Sequence, residues 1–200
     1  MRPTVLLIAC GALAKEIVAL QKRNDWSHMR IQCLPAELHN RPEKIPAAVR
    51  ATIEEHRENF EHIFVAYADC GTGGLLDQVL AEFNIERLPG THCYDFYAGE
   101  SEFAEIAEAE PGTFYLTDFL TRHFDRLVKK GLGLDKHPEL TSTYFGNYRR
   151  IVYLSQTKSD KLEALAQEHA QYLGLRYEHR HTGLGNVEHA IKEHTVQWLN

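Results

Sequence analysis

Two hundred residues with a 44% hydrophobic content can bury one sizeable core, and they fall short of the ~250–300 residues at which chains usually divide. A formal net charge of −6 with scattered Lys and Arg excludes a general nucleic-acid surface, which needs clustered cations. No window approaches the ~20 apolar residues of a membrane span, and the cysteines come without a secretory signal. The expectation is a cytoplasmic protein whose thiols are ligands, nucleophiles or core residues rather than disulfides.

Thr4 to Ala9 is a continuous apolar run, the mark of a strand covered on both faces, and Met1 to Pro3 lead straight into it. A helix follows over Ala12–Lys22, striped by Leu13, Ile17 and Leu20. Met29–Leu34 reads as the second strand. Asn40 and Pro42 then open a helix that runs to Phe60 with Ile45, Val49 and Ile53 inward. His62–Ala68 is the third strand, Gly74–Phe83 a helix behind a glycine-rich turn, and Ile85–Leu88 a short fourth strand. An acidic helix spans Ser101–Ala109, and Pro111-Gly112-Thr113 opens an extended piece. Asp118 caps a helix to Lys130, where two lysines and Gly131 match a helix end with a left-handed cap. Gly131–Arg150 reads as irregular. Arg150–Leu154 is a strand, Ser159–Leu173 a helix, Leu175–His179 a last strand and Asn186–Trp198 the final helix.

This alternation predicts a three-layer, Rossmann-like α/β fold: one mostly parallel sheet with helices on both faces, as a single domain over residues 1–200. In a 2-1-3-4 strand order the ligand crevice opens between strands one and three.

All carboxyl strand ends of such a sheet share one edge. Cys10 ends strand one in Ile8-Ala9-Cys10-Gly11, Cys70 follows strand three in Asp69-Cys70-Gly71-Thr72-Gly73-Gly74, and Cys93 follows strand four in Gly90-Thr91-His92-Cys93-Tyr94. Cys10 and Cys70 each precede a glycine and a helix start, where N–H groups favour the thiolate. Three thiolates with an open or histidine-filled fourth position suit zinc; three around a cluster with one open iron suit an iron–sulfur centre. His39, after strand two, is the candidate fourth ligand. The plain alternative is three small buried residues at strand ends, and Cys33, inside strand two, reads as core.

Gly71, Thr72, Gly73 and Gly74 form a turn able to cradle an anionic cofactor group, without dinucleotide spacing or a Walker lysine. Asp69 and Asp95 read first as turn-stabilising residues. Thr91–Gly99 and Tyr144–Tyr148 are aromatic loops suited to covering a sheet edge, closing as a lid or meeting a second copy. His179, His181 and His189 share no helical face and read as surface residues.

The strings Ile8-Ala9-Cys10-Gly11-Ala12-Leu13, Asp69-Cys70-Gly71-Thr72-Gly73-Gly74, Gly90-Thr91-His92-Cys93-Tyr94-Asp95 and Pro111-Gly112-Thr113-Phe114-Tyr115-Leu116 resemble domain-of-unknown-function family 1638 of bacteria and archaea. That resemblance maps the family's cysteines onto Cys10, Cys70 and Cys93. It also implies a cytosolic protein encoded beside corrinoid-dependent methyltransferases, hence one-carbon metabolism, with a corrinoid or small-molecule ligand and a partner methyltransferase. The leading expectation is a zinc or iron–sulfur site in methyl-transfer chemistry. Two others stand beside it: a non-catalytic accessory module for a cofactor or partner methyltransferase, and a metal-free thiol enzyme.

Overall fold

The computed structural model describes residues 4–195 and Trp198; the leading Met1–Pro3 and positions 196–197 of the expected last helix lie outside the described residues. The chain forms two compact units, Met1–Phe96 with Val187–Asn200, and Tyr97–Asn186.

In the first unit β1 (Val5–Cys10) leads through a 3-10 turn into α1 (Ala14–Arg23), then β2 (Met29–Leu34), α2 (Ile45–His56), β3 (His62–Ala66) and α3 (Leu75–Phe83). The strands are parallel in the order β2-β1-β3. Val5 to Ala9 are fully buried, as their unbroken apolar run requires of a central strand. Leu6, Ile8, Val65 and Tyr67 pack on Ile45, Val49 and Ile53 of α2 and on Leu76 and Leu80 of α3. Leu7 and Phe64, paired in register, alternate to the other face. The expected fourth strand at Ile85–Leu88 reduces to a single parallel bridge, Val65 to Arg87. Polar Glu86 and Arg87 interrupt the apolar run needed for a full strand. The helix before β3 ends at His56 rather than Phe60, and it begins at Ile45, with Pro46 in its first turn and no side-chain cap.

The chain continues with α4 (Tyr94–Ala98), which makes the aromatic loop helical, and α5 (Glu100–Ala109). The second unit's strands β4 (Thr113–Thr117), β5 (Arg150–Ser155) and β6 (Arg176–His181) are again parallel, in the order β4-β5-β6. Between β4 and β5 lie α6 (Asp118–Arg122), a π-helical turn (Asp125–Lys130) and α7 (Leu140–Phe145). α8 (Asp160–Leu173) joins β5 to β6, and α9 (Gly185–Thr195) follows. Leu116, Ile151 and Tyr153 pack against Leu162, Ala166 and Ala170 of α8, while Tyr115 on the opposite face meets Phe103 of α5.

Parallel strands with helices on both faces make this an α/β, Rossmann-like fold. The six strands form two three-stranded sheets where the sequence reading placed one. The helix expected over Asp118–Lys130 breaks at His123. Its cap is Thr117, whose hydroxyl accepts the Leu120 N–H, because the Asp118 carboxylate is buried and occupied elsewhere. Gly131 is right-handed helical, and Gly133, at φ +74°, supplies the left-handed turn instead. In the Tyr144–Tyr148 loop Phe145 is buried edge-on against Phe114, which also meets Tyr148, while Tyr144 stays exposed. His181 and His189 are exposed as expected, whereas His179 is half-buried. Among the described residues no helix is long and apolar enough to cross a membrane.

Candidate functional site

The carboxyl edge of the first sheet is built from three turns. Cys10 ends β1, and its sulfur accepts the Ala12 N–H at 3.5 Å, capping the turn into α1. The next residue must be small: a Cβ on Gly11 would meet the Leu34 carbonyl oxygen at 2.8 Å and the Ala36 nitrogen at 3.2 Å. That close approach to the end of β2 fixes where Cys10 stands.

Cys70 adopts a left-handed backbone, φ +49°, which a non-glycine residue holds only when its surroundings demand it. The demand comes from both sides. Asp69 and Cys70 donate their N–H groups to the Gly90 and Thr91 carbonyls, extending the parallel pairing beyond β3. The Asp69 carboxylate then closes the turn, accepting from the Thr72 hydroxyl at 2.7 Å, the Gly74 N–H at 2.9 Å and the Gly73 N–H at 3.1 Å. The glycine turn proposed to cradle an anion therefore already surrounds a carboxylate of the chain itself, and an external phosphate would compete with Asp69.

Burial pulls the Asp69 carboxyl upward, but the N–H groups of Gly74, Gly73 and Gly71 and the Thr72 hydroxyl outweigh it and hold the group below the usual carboxylate range. Asp69→Ala is expected to cost about 1–2 kcal/mol, comparable to losing a helix cap. A depressed carboxyl contributes its stability above the unfolded value of about 4 and loses it as pH falls through the lower folded value. The gap between wild type and variant in urea denaturation should therefore shrink in acid, and a gap independent of pH would contradict this account.

Asp95 does for the Cys93 turn what Asp69 does for the Cys70 turn. One carboxylate oxygen accepts the Thr91 N–H at 2.8 Å and the His92 N–H at 3.4 Å. Both aspartates thus take the turn-stabilising role.

The three thiols influence one another. A hydrogen bond from the Cys93 thiol to the Cys70 sulfur holds Cys70 below the usual thiol range, against the opposing effect of burial. The same hydrogen bond, reinforced by burial, pushes Cys93 well above that range. Burial pushes Cys10 up to about 11, opposed by the Ala12 N–H and reinforced by the neighbouring Cys70 charge. Cys70 is thus the most acidic of the three thiols, and Cys93 and Cys10 give up their protons less readily. Cys33, half-buried on β2 opposite Ala9, is also raised by burial.

His39 stays at the surface, yet the chain packed around it and the nearby His92 lower its pKa. Among the described residues no three His, Cys, Asp or Glu side chains stand in an arrangement ready to hold a metal ion.

Two residues escaped the sequence reading. Tyr67 is 2% exposed, its hydroxyl has no fully formed hydrogen bond, and it lies close enough to the Cys10 sulfur to favour that thiolate. Burial first, then the Cys10 charge, pushes its phenol far up. Arg87 grips Asp77 of α3 with two hydrogen bonds of 2.6 and 3.0 Å and donates to the Leu88 carbonyl, while Cys70 and Asp69 lie within its electrostatic reach. Tyr67 looked like one more apolar strand residue. Arg87 sits in no motif, and only the bridge beside Val65 brings it to the edge.

A family model described as "Protein of unknown function (DUF1638)" matches residues 33–191. The chain belongs to this family. The match takes in His39, Cys70, the Gly71–Gly74 turn and Cys93 of the DUF1638 chain, and it begins after Cys10. No curated protein and no solved structure matches the chain.

Proposed function

We propose that this DUF1638 protein uses Cys10, Cys70 and Cys93 as a soft-metal site, for zinc or an iron–sulfur cluster, in corrinoid-linked methyl transfer or one-carbon metabolism. The observation that carries the reading is the arrival of three thiols, from three turns far apart in sequence, at one sheet edge where each negative charge makes the next thiolate costlier. A soft cation relieves that cost. The donor chemistry fits such a metal, with Cys70 as the first ligand. Uptake would require Cys93 to give up its hydrogen bond to Cys70, and both Cys93 and Cys10 to release their protons. His39 or solvent would supply the fourth position. When bound, zinc would act as a Lewis acid toward an incoming thiol, whereas a cluster would deliver electrons.

The lowered pKa of Cys70 favours a second reading: a metal-free nucleophile with Cys93 as its proton-bearing partner. One experiment separates the two. Protein purified without oxygen is assayed for zinc, iron and visible absorption, in wild type and in Cys10→Ser, Cys70→Ser and Cys93→Ser. Near-stoichiometric metal lost in every variant supports the metal site. Wild type that stays metal-free after reconstitution overturns it. Alkylation of the reduced, metal-free protein then tests the nucleophile: Cys70 should react at lower pH than a free thiol, and Cys93→Ala should move that profile to higher pH. An unmoved profile would remove Cys93 from the account.

A further inference from the structure

The second sheet has a carboxyl edge of its own. Ser155, the last residue of β5, is paired with His181 of β6, and Tyr153 with His179. With the two-residue period of a strand, these four side chains share one face. The Ser155 hydroxyl lies 2.8 Å from His179 Nε2 and 3.0 Å from His181 Nδ1. On the far side of the His179 ring, Nδ1 stands 3.5 Å from Glu163 Oε2, in the first turn of α8. Ser155 is held in place by its own backbone: its carbonyl accepts the N–H groups of Thr182 and Gly183 at 2.9 and 3.2 Å. Tyr153 stacks on His179 with ring centroids 5.2 Å apart, and its hydroxyl is fixed on Asp118 at 2.6 Å. A cavity of about 440 Å³ opens beside this group, lined by Ser155, His179, His181 and Glu163, with Lys158 at its side.

The proton inventory assigns roles. A carboxylate at Nδ1 keeps the His179 proton on that nitrogen, so Nε2 is bare and accepts the Ser155 O–H. A serine hydroxyl has a single proton, so His181 Nδ1 must be the donor in its contact with Ser155. The chain therefore runs from His181 through Ser155 and His179 to Glu163, the polarity a nucleophilic serine needs.

We propose that Ser155 is a nucleophile with His179 as its general base, forming a catalytic centre for small carboxylic esters or thioesters. The cavity volume suits a small ligand, and Lys158 in its lining is available to an anionic acyl group. Ser155 Oγ attacks the acyl carbon as its proton passes to His179 Nε2. The bond to the leaving oxygen or sulfur then breaks, and that atom takes the proton. Water, deprotonated by His179, cleaves the acyl-serine, releasing the acid and restoring the hydroxyl. Glu163 is a positioning residue that holds the His179 tautomer, and His181, donating to the Ser155 oxygen, orients the hydroxyl toward His179. The centre is independent of the cysteine site, and neither reading needs the other.

The full chain is treated with a fluorophosphonate probe and mapped by mass spectrometry, and hydrolysis of 4-nitrophenyl acetate is followed in parallel. One adduct on Ser155 is expected, absent in Ser155→Ala and formed on the order of 100-fold more slowly in His179→Gln. Matching circular dichroism and melting curves show that the variants are folded. Glu163→Gln should lower the rate while leaving KM unchanged, because the ring loses the carboxylate that orients it, and Glu163→Asp should restore part of the rate. No adduct on Ser155, or hydrolysis unchanged in Ser155→Ala, overturns the proposal. A Glu163→Gln rate equal to wild type, or one that Glu163→Asp fails to raise, overturns the role of Glu163.

Discussion

Asp118→Ala is expected to destabilise the second unit by about 3–5 kcal/mol, the cost of breaking a buried, fully hydrogen-bonded charge. Asp118 is 0% exposed. One oxygen accepts the Tyr153 hydroxyl at 2.6 Å and the Gln156 N–H at 3.1 Å, and the other accepts the Thr157 N–H at 3.1 Å and the Thr157 hydroxyl at 2.5 Å. The Gln156 side chain completes the lock by accepting the Asp118 N–H at 2.8 Å. Alanine would leave two buried donors, the Tyr153 hydroxyl and the Gln156 N–H, without partners, at about 1–3 kcal/mol each before relaxation or water entry. Urea denaturation of wild type and variant measures the difference. A loss under 1 kcal/mol would mean that water replaces the carboxylate freely, which this degree of burial argues against. Asp118→Asn is a sharper probe. It keeps the shape but turns one acceptor into a donor facing donors, so it should recover little of the loss.

Phe64→Ala is expected to cost about 3–5 kcal/mol in the first unit. Phe64 is 0% exposed and pairs with Leu7 in register. Its ring stacks on His194 of α9 at 5.2 Å and meets Trp198 edge-on at 6.2 Å. Truncation removes the ring and leaves a cavity between sheet and helix that a β-strand cannot collapse to fill. Phe64→Leu keeps much of the volume and should lose clearly less. Equal losses for the two variants would show that the stacked ring, rather than filled space, holds α9 down.

Elements whose own residues dictate them were legible in the sequence. β1 and β3 are unbroken apolar runs, and α3 and α8 carry stripes that match their buried faces. The features that depend on distant partners were not legible. Asp118 looks like a helix cap until Tyr153, Gln156 and Thr157 claim its carboxylate. Nothing local in β4, β5 and β6 says that they form a second sheet rather than extend the first, because strand pairing is a choice between partners of similar pattern. The shared edge of Cys10 and Cys70 could be read because residues at carboxyl strand ends meet there, whereas Cys93 follows no full strand and is brought in by the Asp69 and Cys70 N–H bonds to Gly90 and Thr91. The Ser155 group was hidden by one boundary. With the last strand ending at His179, His181 falls in a loop; extended to His181, the strand places both imidazoles on one face at alternate positions.

The affiliation of α9 has a consequence for the order in which the protein is made. The helix that covers Phe64 belongs to the first unit, yet the 90 residues of Tyr97–Asn186 are translated between it and the rest of that unit. At ribosomal speeds that interval is on the order of 5–20 s. Through it the nascent first sheet carries an apolar face without its helix, while the second unit, contiguous in the chain, can close as soon as it emerges. A premature stop just before Val187 would therefore leave the last-made unit whole and strike the first-made one.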